Sequence, residues 1–242
     1  MLKKITIMMV FILLVGVVGF GLNNIMADEE IVDNSELVAR VNDEDLTLDQ
    51  LNQYAAIEQL TMNITYLLPD FAEVLQSTAA GDELLAEYRE AKLDDFIKEV
   101  LLEQEAENIN ITEAEKDSFF SSYIEDLKEQ NQLSEEELLT TLNQQGFESL
   151  ADFQEYFFAY GGKISLLQDK IINQLTVEDA EIEDYYNNNQ EYFSDQEEET
   201  AITPLEEVKE DIRSSLLAKK QQQEWDKYIS EIEEKADIEI YI

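Results

Sequence analysis

The chain contains no histidine and no cysteine, while aspartate and glutamate together number 56. Without an imidazole or a thiol, neither the Ser–His and Cys–His constellations that activate a nucleophile nor the His/Cys sets that bind zinc can be assembled. Carboxylates are what remain for chemistry. A pair of them can cleave a glycosidic bond only when one is held protonated in an apolar setting, and nothing in the sequence pairs an acid with such a setting. The acidic run "SDQEEET" from Ser194 to Thr200 lacks the alternating ligands and central glycine of a calcium loop. Glu135, Glu136 and Glu137 are read as the first turn of a helix, where carboxylates face the positive end of the dipole. Gly161-Gly162 is too short for a phosphate-binding loop. The two "NIT" sequons at Asn63 and Asn110 are read as chance. No catalytic, cofactor-binding or metal-binding residue is assigned.

Contact surfaces are the other use to which these side chains can be put. "DFQEYFFAY" places Phe153, Tyr156, Phe157 and Tyr160 at i, i+3, i+4 and i+7, one helix face and most simply core. Phe158 lies off that stripe and is expected to be the exposed contact residue. Met62 and Tyr66 lie close to Pro69 in "NITYLLPDF", a less regular stretch, where flexible methionine and amphipathic tyrosine suit contact with many sequences. The plain alternative for that stretch is a loop packing its own apolar residues.

The elements that must position these residues are mostly helices. Beyond residue 27 only four glycines and two prolines occur, and Thr47/Gln50, Thr112/Glu115 and Ser134/Glu137 form Ser/Thr-x-x-Glu/Gln capping boxes. Leu84, Tyr88, Phe96, Val100 and Leu101 mark one helix ending near Glu107. Phe119, Tyr123 and Leu127 mark a second, and Leu138, Leu139 and Leu142 a short third that stops at Gly146. Residues 151–175 continue the helical period with a break expected at Gly161-Gly162. A helix carrying Ile182, Tyr185 and Tyr186 follows Thr176. Thr203-Pro204 starts a last helix from Leu205 to about Lys235, about 45 Å long at 1.5 Å per residue. Its apolar stripe lapses from Lys219 to Glu224, so its middle is expected to bridge solvent.

Only two stretches alternate as strands do: "ELVARVND", with Leu37, Ala39 and Val41 on one face, and "ADIEIYI", with Ile238, Ile240 and Ile242. Two isolated strands are marginal. Pairing the first with the last, with "NDEDLT" folding back as a short third strand, would close residues 35–242 into one unit.

An opening "VARVNDEDLTLDQL", then helices, then "TVEDAEIEDYYNNNQEYF" and a final long helix with a closing strand resembles the SurA and PrsA group of extracytoplasmic chaperones. The resemblance covers nearly all of residues 28–242. It implies a mostly α fold: a multi-helix SurA N-terminal-like chaperone module with a small sheet pairing the terminal strands, preceded by a signal or anchor helix. In that group a parvulin-type prolyl isomerase domain commonly follows the segment that looks like "YYNNNQEYF". Here residues 28–193 are followed only by the acidic junction 194–203 and then by the helix and strand of 204–242. Ten residues cannot fold as a domain when small domains need roughly 40 or more. Parvulin sites also use histidines, and this chain has none. The isomerase activity is therefore not expected.

"MLKKITIMMVFILLVGVVGFGLNNIMADEE" has two lysines, an apolar run over residues 5–22 and a small residue, Ala27, before an acidic start. That is the pattern of an export signal, either cleaved after Ala27 or retained as a membrane anchor. Without the first 27 residues the chain carries 14 bases against 56 acids, a charge of −42. Such a surface repels nucleic acid and anionic lipid headgroups, so the membrane is met only through the N-terminal segment. Adaptation to a saline habitat also accounts for the charge and says nothing of activity.

The leading expectation is an ATP-independent holdase, without a cofactor, that binds unfolded or newly exported polypeptides outside the cytoplasmic membrane. A membrane-tethered scaffold for one dedicated protein partner is the alternative, and a residual prolyl isomerase the minor one.

Overall fold

A computed structural model describes residues 36–193 and 202–242. The expected signal or anchor segment and all of the acidic junction except Ile202 and Thr203 lie outside the described residues. The chain divides into two compact units, one of residues up to 167 together with 233–242, the other of residues 168–232.

In the first unit, strands β1 (Leu37–Val41), β2 (Glu44–Thr47) and β3 (Ile238–Ile240) form an antiparallel sheet of order β2-β1-β3. The first strand thus pairs with the last, Ala39 opposite Ile240 and Val41 opposite Ile238. Asn42 ties the two chain regions together. Its N–H donates to the Asp237 carbonyl at 2.7 Å, and its side-chain oxygen accepts from the Asp237 N–H at 3.0 Å. It does so with φ of 55°, the left-handed region that asparagine tolerates better than most residues.

The expected faces of β1 need correction. Val38, Ala39 and Val41 are buried, and Leu37 is the exposed one. The register slips between Leu37 and Ala39, a bulge-type irregularity that turns Val38 inward in place of Leu37. β3 also ends at Ile240, which is exposed along with Ile242.

Ten α-helices occur among the described residues. Those from α1 (Leu48–Tyr54) through α7 lie in the first unit. The capping boxes form as the sequence predicts: Thr47 caps α1, Thr112 caps α5 (Glu113–Asn131) and Ser134 caps α6 (Glu135–Gln144). Each pairs the cap hydroxyl with the N3 N–H and the N3 side chain with the cap N–H. "NITYLLPDF" is more regular than expected. It is the end of α2 (Ile57–Leu67) and the start of α3 (Pro69–Ser77), separated at Leu68 because the residue before a proline is driven out of helical conformation.

The 30-residue α4 (Ala79–Asn108) packs its first half against α3 and also meets α1 and β1. Leu93, Phe96, Ile97, Val100 and Leu101 on its second half are buried, and the Phe96 ring stacks on Tyr54 at 5.0 Å.

A second apolar cluster joins α5, α6, α7 (Leu150–Ala159) and the start of α8 (Gly162–Ile172) through Phe120, Leu127, Leu138, Phe153, Phe157 and Leu166. The expected break between α7 and α8 falls at Gly161, which adopts φ of 97° where a side chain would be strained.

In the second unit, α9 (Asp179–Asn188), a 3₁₀ turn (Gln190–Phe193) and α10 (Leu205–Lys235), whose last three residues belong to the first unit, enclose Val177, Ile182 and Ile212. Asp179 accepts from both Lys209 (2.9 Å) and Arg213 (2.7 Å), and these hydrogen bonds hold its carboxyl below the usual range. The polar lapse in α10 is not simply solvated. Lys220 reaches Glu181 at 2.7 Å and the Thr176 carbonyl at 2.9 Å. The two sides of the acidic junction are joined: the Thr203 N–H donates to the Phe193 carbonyl at 2.8 Å, and the Tyr186 hydroxyl donates to the Thr203 carbonyl at 2.7 Å.

Candidate functional site

Large apolar side chains on the surface are unevenly distributed. Seven of the thirteen exposed among the described residues fall between Met62 and Leu84. On α2 they are Met62 and Tyr66, exposed by 62% and 87%, with Leu67 beside them. Leu68 at the break, Phe71 and Val74 on α3 and Leu84 on α4 are exposed in the same stretch of chain. Scattered exposed apolar residues need no explanation, but a contiguous run of them marks a contact surface.

The local sequence forces this exposure. Consecutive "YLL" before proline cannot all face one side of a helix whose neighbours lie four residues apart. α3 buries Ala72 and Leu75, and that face is already committed to α4. Gly81 makes the commitment tight, since a Cβ there would stand 2.1 Å from the Leu75 carbonyl oxygen.

Between α2 and α3 lies an open groove of about 750 Å³ lined by Glu58, Thr61, Met62, Thr65, Tyr66 and Gln76. The Gln76 side-chain amide donates to the Thr65 hydroxyl at 3.1 Å, fixing one helix to the other.

Of the residues singled out from sequence, Met62 and Tyr66 therefore come together on one groove wall. Phe158 does not belong with them. It is buried among Phe119 and Phe157, with ring centroids 6.5 and 5.1 Å away, and the Lys116 ammonium sits 5.9 Å from its centroid. The expectation of exposure fails because α7 buries Phe153, Phe157 and Phe158 together, a wider face than a single stripe. Sequence reasoning passed over Leu67, Leu68, Phe71 and Val74, and it read Leu84 as part of the apolar stripe of α4, where the structure leaves it exposed. The signal available for the first three was an aperiodic apolar run around a proline.

Acid–base chemistry finds little to work with. Burial pushes the Glu99 carboxyl up, and burial with the charges of Glu99 and Asp95 pushes the Tyr54 hydroxyl up to about 12. These groups lie in the packed region around α4, with the Tyr54 ring stacked on Phe96. Among the described residues no group of three or more carboxylates could hold a metal ion, and no helix is long and apolar enough to cross a membrane.

Comparison with known proteins agrees with this architecture. Residues 1–157 match the SurA-like N-terminal domain family. Foldase protein PrsA of Clostridium botulinum strain Kyoto (type A2) is 24% identical over 164 residues, covering 65% of this chain and 46% of the relative. The PrsA foldase of strain Okra (type B1) is 23% identical over the same span. The chain thus matches about half the length of these curated relatives. No solved structure matches. With residues 1–157 of 242 matched, this chain is a member of the SurA-like N-terminal domain family.

Proposed function

We propose that the protein is an ATP-independent holdase that binds unfolded or newly exported polypeptides outside the cytoplasmic membrane. The observation that carries this reading is the exposed apolar surface of α2 and α3, placed on a chain of a family whose curated relatives are foldases. An extended, unfolded segment can lay its apolar side chains on Met62, Tyr66 and Phe71 without a nucleotide or metal. Export is supported by the lysines and apolar run at residues 3–22. The proposal does not include prolyl isomerisation, because only ten residues separate Phe193 from Pro204 and no imidazole is present.

The test is suppression of aggregation of several unrelated, chemically unfolded clients at substoichiometric to equimolar chaperone. Protection of most of them is expected, and protection of none overturns the reading. A proline-limited refolding reaction run alongside should show no acceleration. Envelope pull-down of one stoichiometric partner with no general protection would favour a dedicated scaffold instead.

A further inference from the structure

The groove between α2 and α3 has a charge pattern as uneven as its apolar one. No lysine or arginine occurs from Val41 to Tyr88, while Glu58, Asp70, Glu73, Asp82, Glu83 and Glu87 fall on α2, α3 and the start of α4. All six are exposed. None is in an ion pair, in contrast to Asp179 and Glu181, which are each matched by cations of α10. Along α2, α3 and the start of α4 the exposed charges are therefore all of one sign, and Glu58 lines the groove itself. Uncompensated exposed carboxylates raise the local concentration of cationic groups and repel anionic ones.

We infer that the α2–α3 groove selects client segments in which apolar residues alternate with lysine or arginine. The inference rests on the holdase reading and specifies the segment class. The apolar side chains would lie on Met62, Tyr66 and Leu67, and the basic ones would reach carboxylates such as Glu58 and Glu73. Other occupants fit the charge poorly. A second copy would bring the same six carboxylates face to face, and an anionic lipid surface would be repelled.

The test uses the full chain and three fluorescent twelve-residue peptides sharing the same leucines and phenylalanines, with four lysines, four serines or four glutamates between them. At 50 mM NaCl the lysine peptide is expected to bind at least tenfold tighter than the serine peptide, and the glutamate peptide weakest. Screening over about 3 Å at 1 M salt should bring the lysine and serine peptides within threefold of each other. Combined Glu58→Gln, Glu73→Gln and Glu83→Gln should remove most of the gap at low salt by weakening the lysine peptide far more than the serine peptide. Tyr66→Ser with Leu67→Ser should weaken both peptides.

Equal binding of the lysine and serine peptides in the unaltered protein overturns the charge selection alone, and needs no variant to fold. A gap that survives the neutralised variant places the selection elsewhere and overturns the site. Binding of none of the three peptides overturns the holdase reading beneath it. Self-association in sedimentation velocity that disappears with Tyr66→Ser would make the groove a contact between copies and overturn the proposal.

Discussion

Gly81→Ala tests how the exposed surface is held. A Cβ at position 81 would lie 2.1 Å from the Leu75 carbonyl oxygen, 2.5 Å from its carbonyl carbon and 2.7 Å from its Cα. All three are backbone atoms, so no side-chain rotation relieves the contact. Reaching an ordinary separation near 3.5 Å requires the end of α3 to move from α4 by on the order of 1 Å. Overpacking of this kind costs about 1–3 kcal/mol. Alanine is intrinsically the better helix residue by up to ~1 kcal/mol. The two effects have opposite signs, so the sign of the result decides between them. We expect a net loss of about 1–2 kcal/mol by urea denaturation followed by circular dichroism. Hydrogen exchange should quicken in α2 and α3 and remain unchanged in α5 to α7, and client protection should fall. Unchanged or increased stability would show that α3 is not clamped against α4 at this point and would refute the reasoning.

Glu99→Gln should stabilise the protein at neutral pH. Burial pushes this carboxyl up, so the folded state holds the proton more tightly than the unfolded chain. The cost of the charged form is then present above the raised value and relieved as pH falls through it. The advantage of glutamine should vanish below about pH 4, near the ordinary glutamate range. Thermal melts from pH 3 to 8 read this, and a destabilised variant at pH 7 contradicts it. Phe157→Ala should cost about 3–5 kcal/mol, because that ring is buried against Phe119, Phe120, Tyr123, Phe153 and Phe158. Tyr66→Ala, at a residue 87% exposed, should change stability by no more than about 0.5 kcal/mol. Equal losses in denaturant titrations of the two variants would mean that Tyr66 is part of the core.

The sequence carried the positions of most helices because helix ends are local events. Thr47, Thr112 and Ser134 each bond the backbone three residues ahead, and a reader needs only those four residues to see it. Leu205–Lys235 was legible for the same reason, from Thr203-Pro204 at its start to the end of its apolar pattern. The pairing of β1 with β3 was also within reach, since two lone alternating stretches each need a partner.

The surface was harder to read because exposure depends on what covers a face, and the chain does not state that locally. Phe158 and Tyr66 both lie off the simplest core stripe, yet one is buried and the other open. α5 brings Phe119 and Lys116 to Phe158, whereas α3 spends its inner face on α4 and covers Tyr66 with nothing. The one-residue slip in β1 is of the same kind, because register is an agreement between strands.

By itself, then, the sequence determined the absence of imidazole and thiol chemistry, the helical class, the caps and the base-free stretch from Val41 to Tyr88. These are properties of residue types and of neighbours within one helical turn. Only the tertiary structure decided that Met62 and Tyr66 share a groove wall with Gln76, that Phe158 is core, and that Leu37 is exposed in place of Val38. Burial is a property of pairs of surfaces, and the partner of each surface lies far along the chain.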